Sequence, residues 1–157
     1  IAGEPRSVYC RAVAHPELEG FADTRSTIIL DYADRIRCSL TLHHVHRHDP
    51  THRASMLKVE GTRGAAVLTL GVNIDYPTGT PDHLAVAVEQ SGWTQVPLRG
   101  SWFTEAFEGP MSNLQRFVAG EDPTLVSPVA DAIKTMALVE ACYQSSERGG
   151  TPIPAAG

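Results

Sequence analysis

Five histidines crowd one stretch of this chain: His43, His44, His46, His48 and His52. On an extended strand successive side chains alternate, so His44, His46 and His48 would point the same way. Neutral imidazoles on one face have the donor chemistry for Zn²⁺, which takes about four N, S or O ligands. The plainer reading is a His-rich strand end and loop with no metal, and that is the expectation here. A second group is aromatic: Trp102, Phe103 and Phe107. Trp102 can stack on the CH face of a sugar and donate through its indole N–H. The competing role is core packing of a helix against a sheet. Asp31 and Asp34 flank a turn and read as solvated. Glu105 and Glu108 fall near the start of a helix, where negative charge suits the dipole. The three cysteines, Cys10, Cys38 and Cys142, form no CxxC pair and read as buried, reduced thiols of a cytosolic protein. No GxSxG occurs, so a Ser/His/Asp hydrolase finds no support.

The elements that must position these residues follow from periodicity. Alternation of apolar and polar residues predicts strands over residues 7–14, 27–32, 36–46, 54–60, 65–70, 83–90 and 93–98. In the third, Ile36, Cys38, Leu40 and Leu42 share a face with His44 and His46, whereas Arg37, Ser39, Thr41 and His43 share the other. Gly61-Thr62-Arg63-Gly64 reads as a hairpin whose glycines tolerate positive φ. Pro97 places its strand at an edge or an end. Residues 101–119 read as a first helix capped by Ser101, with Pro110 breaking or kinking it. A second helix starts at Ser127 as N-cap with Pro128 behind it, and ends at Gly149-Gly150. Its expected apolar face is Val129, Ile133, Met136, Ala137 and Tyr143, widened by Ala132 and Val139 and interrupted by Glu140. Strands grouped before helices give an α+β fold: a mostly antiparallel open sheet with helices packed on one face.

Composition bounds the rest. With 157 residues, 42% hydrophobic and 20% charged, one globular domain spanning residues 1–157 is expected. The net charge of −5 disfavours nucleic-acid binding through a basic surface. No apolar run approaches the ~20 residues of a membrane span. The chain begins with Ile1 and shows no signal peptide, so a processed chain or a piece of a longer protein, in the cytoplasm, is expected.

Three segments, in order, carry a family resemblance. Val59-Glu60-Gly61-Thr62-Arg63-Gly64 resembles a strand–EGTxG–strand hairpin. Trp102-Phe103-Thr104-Glu105-Ala106-Phe107 is similar to a segment leading into a helix. Residues 113–117, then the 127–146 helix with Gly149-Gly150 and Pro152-Ile153-Pro154, resemble a final "DA…LVEA…S…G…P" helix. Together they resemble the C-terminal, dihydrodipicolinate-reductase-like domain of the Gfo/Idh/MocA family of NAD(P)-dependent oxidoreductases. Among its members, the apiose-type sugar dehydrogenases look most similar.

The resemblance implies a two-domain enzyme that transfers hydride between a sugar or polyol and NAD or NADP. The cofactor would be bound by an N-terminal Rossmann domain. No GxGxxG, EKP or DxGxHxxD motif occurs here, so the chain reads as a C-terminal substrate-binding and oligomerisation domain, inactive alone. The resemblance implies substrate contacts from Trp102, His46, His52, Arg53 and Phe107. At Phe107 some family members place a tyrosine, so the contact here would be apolar. It also implies self-association through the open sheet face. A non-catalytic, sheet-mediated binding or assembly module is the alternative.

Overall fold

The computed structural model describes residues 3–18, 20–21, 23–33, 36–44, 50–71 and 79–150. The chain forms two compact units, Ile1–Arg47 with Pro128–Gly157, and His48–Ser127.

The first unit holds three strands, β1 (Ser7–Val13), β2 (Arg25–Ala33) and β3 (Ile36–His43), in an antiparallel meander. The register aligns Cys10 with Ile28 and Leu40, and Val8 with Leu30 and Cys38. Because side chains alternate, Val8, Cys10, Ala12, Ser26, Ile28, Leu30, Cys38, Leu40 and Leu42 share one face. The opposite face carries Tyr9, Ile29 and polar residues such as Arg11, Thr27 and Thr41. The division of β3 into two faces is the one its alternation predicts. Cys10 (2% exposed) and Leu30 (6%) are the most buried apolar residues.

Helix α2 (Val129–Arg148) packs along β1. Here the structure corrects the sequence reading. Val129, Ile133 and Met136 are exposed, whereas Val139 and Tyr143 of the expected face line the cavity against the sheet together with Cys142, and two serines make the hydrogen bonds to β1. Ser145 Oγ accepts from the backbone N–H of Cys10 at 2.9 Å. Ser146 Oγ accepts from the N–H of Ala12 at 2.9 Å and lies 3.2 Å from its carbonyl. β1 is an edge strand, and its outward N–H groups need partners. The helix supplies them with hydroxyls, which a hydrophobic periodicity does not register. The helix also begins one residue later than expected: Pro128 is the N-cap, in extended conformation, and its carbonyl accepts from Asp131 at 3.0 Å and Ala132 at 3.2 Å. The end is as expected, with Gly149 at φ 68°.

The second unit holds a four-stranded antiparallel meander: β4 (Met56–Gly61), β5 (Gly64–Thr69), β6 (His83–Val88) and β7 (Trp93–Val96). β7 lies at the sheet edge and stops before Pro97, as a residue without an N–H requires. The 61–64 hairpin forms where expected but for a different reason. None of its residues has a positive φ. A side chain on Gly64 would instead place its Cβ 2.4 Å from the Ala87 carbonyl oxygen of β6.

A 3-10 turn at Glu105–Phe107 leads into α1 (Glu108–Val118). The helix starts later than the sequence suggests. Pro110 therefore sits in its first turn, where N–H groups have no intrahelical acceptor anyway, and neither breaks nor kinks it. Ser101 does not cap α1. Its hydroxyl lies 2.6 Å from Glu105 Oε2 and also contacts the Phe103 carbonyl.

Candidate functional site

Among the described residues two places gather side chains with chemical capacity, one in each unit. In the second unit it is the run between β7 and α1. Trp102 and Phe103 have ring centroids 6.0 Å apart, tilted by 57°. Phe103 and Phe107 meet edge to face at 6.0 Å. The three aromatics thus form a continuous row. Phe107 is 56% exposed, whereas Trp102 is half-buried.

This row is held from behind by Asp82, which sequence reasoning missed. One carboxylate oxygen of Asp82 accepts from the Trp102 backbone N–H at 2.7 Å, and the other from the Gly71 N–H at 2.7 Å. One charge therefore ties the end of β5 to the start of the aromatic row, through hydrogen bonds of the stronger, charge-assisted kind. Gly71 is buried, and a Cβ there would lie 1.8 Å from the Thr80 carbonyl oxygen. The only sequence signal for the clamp is an Asp immediately before a strand.

The indole N–H of Trp102 is buried and has no hydrogen-bond partner. A buried donor left unpaired costs about 1–3 kcal/mol. Ser101 and Glu105, within the same segment, hydrogen-bond to each other. The Ser101 hydroxyl, with backbone N–H groups, holds the Glu105 carboxyl below the usual carboxylate range.

The other expected contacts lie elsewhere in the sequence. His52 and Arg53 sit in and just after the 3-10 turn Pro50–His52 that precedes β4, with His52 exposed and Arg53 half-buried. His46 lies outside the described residues, as do His48 and Asp34. His43 and His44, adjacent in sequence, point to opposite faces: His43 meets the His15 ring edge-on at 6.4 Å, while His44 lines a cavity. Among the described residues no group of three or more His, Cys, Asp or Glu is arranged to hold a metal ion.

That cavity, of about 180 Å³, lies in the first unit between α2 and the sheet. Its polar rim is Asp23, Ser26, His44 and Tyr143, and its floor includes Cys10, Ile28 and Cys142. The Tyr143 hydroxyl donates to Asp23 Oδ2. That bond retains the phenolic proton and pushes the Tyr143 pKa up.

No protein-family model and no curated protein matches the sequence. Solved structures do match its fold. The aldose-aldose oxidoreductase from Caulobacter crescentus, complexed with glycerol, is 14% identical with a TM-score of 0.65; the match covers 94% of this chain and 40% of that one. An oxidoreductase from Agrobacterium radiobacter, in complex with NAD+, L-tartaric acid and magnesium, is 22% identical with a TM-score of 0.64, covering 96% and 43%. The WlbA dehydrogenase from Bordetella pertussis, in complex with NADH and UDP-GlcNAcA, is 13% identical with a TM-score of 0.54, covering 98% and 40%. The chain spans less than half the length of these proteins. Among the described residues its α+β fold, two antiparallel sheets with two helices, is shared with part of each of these oxidoreductases. No helix among the described residues is long and apolar enough to cross a membrane.

Proposed function

We propose that residues 1–157 act as the C-terminal substrate-binding and oligomerisation domain of a cytoplasmic NAD(P)-dependent sugar or polyol dehydrogenase. The observation that carries this reading is the fold shared over 92–99% of the chain with oxidoreductases, some of them complexed with a nicotinamide cofactor or a polyhydroxylated ligand. The chain's own residues do not fit a dinucleotide. Its described strands run antiparallel, with no strand–Gly-rich turn–helix unit to cradle a pyrophosphate. NAD or NADP would be held by residues outside this chain and, when bound, would supply the hydride acceptor for a carbinol or hemiacetal substrate.

The part assigned to this chain is the pocket wall. Trp102 offers a ring face to a sugar's CH groups and an unpaired indole N–H to a hydroxyl. Phe107 offers an apolar edge, and His46, His52 and Arg53 are the proposed polar contacts. The sheet face opposite α2, which exposes Tyr9 (45%) and Ile29 (44%), is the proposed surface for self-association.

The test uses the polypeptide that carries this chain with its natural flanking sequence. It is mixed with NAD+ or NADP+ and a panel of aldoses and polyols, and nicotinamide reduction is followed by absorbance. Reduction with at least one substrate is expected, and Trp102→Phe should raise KM for it more than it lowers kcat. No reduction with any substrate, together with a stable oligomer by light scattering, would favour the non-catalytic assembly module.

A further inference from the structure

Two of the three thiols of the first unit, Cys10 and Cys142, lie close together and are not used by the proposed dehydrogenase role. Cys10 lies on β1 with its side chain on the helix-facing side, 2% exposed. Cys142 lies on α2, and both line the same cavity. The helix is fixed at this point of the strand by backbone contacts. Ser145, almost one turn beyond Cys142, receives the N–H of Cys10 itself, and Ser146 receives that of Ala12. Burial pushes the Cys142 thiol up, and the neighbouring Cys10 thiol adds to the shift. Both cysteines are free, as is Cys38. Cys38 is on β3, separated from β1 by the whole of β2. Strand spacing alone puts it roughly 9–10 Å from that strand, beyond the Cα separation of about 7 Å that a disulfide tolerates.

We propose that Cys10 and Cys142 are a reversible dithiol–disulfide pair that locks α2 onto the edge of the sheet. The oxidant is a low-molecular-weight disulfide such as oxidised glutathione. Cys142, the more accessible thiol, loses its proton and attacks one sulfur of that disulfide. A mixed disulfide forms, and the first small thiolate leaves and takes up the proton. Cys10 then loses its proton and attacks the Cys142 sulfur. The protein disulfide forms, and the second small thiolate leaves protonated. Two protein thiols are oxidised by two electrons in all, and one small disulfide is reduced to two thiols. Because only the thiolate attacks, a thiol kept protonated by burial reacts slowly at neutral pH and faster as pH rises. The other titratable groups around the cavity are Asp23, His44 and Tyr143. The closed bridge would hold the helix on its strand by a covalent bond as well as by the two serines.

The purified protein is equilibrated in a series of reduced-to-oxidised glutathione ratios, quenched in acid, alkylated and digested without reduction. Mass spectrometry should then find a Cys10–Cys142 peptide two hydrogens lighter than its parts, reversed by dithiothreitol, with Cys38 alkylated throughout. Its rate of formation should rise about tenfold per pH unit while the thiols remain mostly protonated. The oxidised protein should melt several degrees higher than the reduced protein. Cys38→Ser should keep the bridge, and Cys10→Ser should stop at glutathione on Cys142. The wild-type peptide map decides the matter even if Cys10→Ser misfolds. No linked peptide at the most oxidising ratio, a bridge to Cys38, or an unresolved mixed disulfide on Cys142 would overturn the pairing. A bridged protein that melts no higher would overturn the locking.

Discussion

The two units are fastened by different means. The first joins a helix to an antiparallel meander, and the second ties a meander to the aromatic segment and a helix to its following loop. In the first unit, two adjacent serines of α2 meet successive outward N–H groups of β1, and the load is shared. In the second, single side chains hold several backbone groups at once. Asp82 ties β5 to the aromatic row through two N–H groups. Asn113, 7% exposed, fastens α1 to the following loop. Its amide N–H₂ donates to Asp122 Oδ2 at 2.9 Å and to the Thr124 carbonyl at 3.0 Å, while its carbonyl accepts from Val126 N–H at 2.8 Å. The lesson is that shared contacts tolerate loss and concentrated contacts do not. Single substitutions should therefore cost more in the second unit than in the first.

The largest effect should come from Gly71→Ala. Its Cβ would meet backbone oxygen at 1.8 Å, so the chain must shift. We expect about 3 kcal/mol of destabilisation or outright failure to fold, read by urea denaturation. Next is Asn113→Leu, which orphans groups in a buried place and should cost about 2–4 kcal/mol. Asp82→Ala should cost about 2–3 kcal/mol and, unlike Asn113→Leu, change Trp102 fluorescence, because it releases the Trp102 backbone.

In the first unit, Ser145→Ala and Ser146→Ala should each cost only about 0.5–1.5 kcal/mol. A Ser145→Ala cost equal to that of Asn113→Leu would break the comparison. The smallest effect concerns pH. The Glu105 carboxyl is held below its usual range in the folded protein, chiefly by Ser101. Its contribution is present above the unfolded carboxylate pKa and is lost as pH falls through the folded value. Glu105 is exposed, so the loss should be slight. Ser101→Ala should move its NMR titration up toward the ordinary carboxylate range.

The seven strands were readable because period-two alternation is a local pattern that each strand carries in its own residues. The same is true of the face that His44 shares with Cys38 and Leu40, and of the helix end at Gly149. The aromatic row was readable too, since Trp102, Phe103 and Phe107 lie within six residues and one turn brings them together. The helix starts were not. Pro110 looks like a breaker until the first turn is known to begin at Glu108.

The docked face of α2 was only partly readable, for a related reason. Hydrophobic spacing selected Val139 and Tyr143, which line the cavity against the sheet, but also Val129, Ile133 and Met136, which are exposed; an edge strand asks for hydrogen-bond acceptors, and Ser145 with Ser146 answers it. The glycines of the 61–64 hairpin were correctly placed and wrongly explained, because the constraint on Gly64 comes from a strand more than twenty residues away.

The sequence by itself determined the class of fold, the order of its elements and the aromatic segment, because each depends on neighbours a few residues apart. Only the tertiary structure decided which groups work together. Asp82 is joined to Gly71 and Trp102, and Asn113 to Val126, by hydrogen bonds, and Cys10 and Cys142 are brought to one cavity, across distances in sequence that no local pattern records. Their reason for meeting is physical: an unpaired backbone donor or a buried side chain takes the partner that folding brings to it.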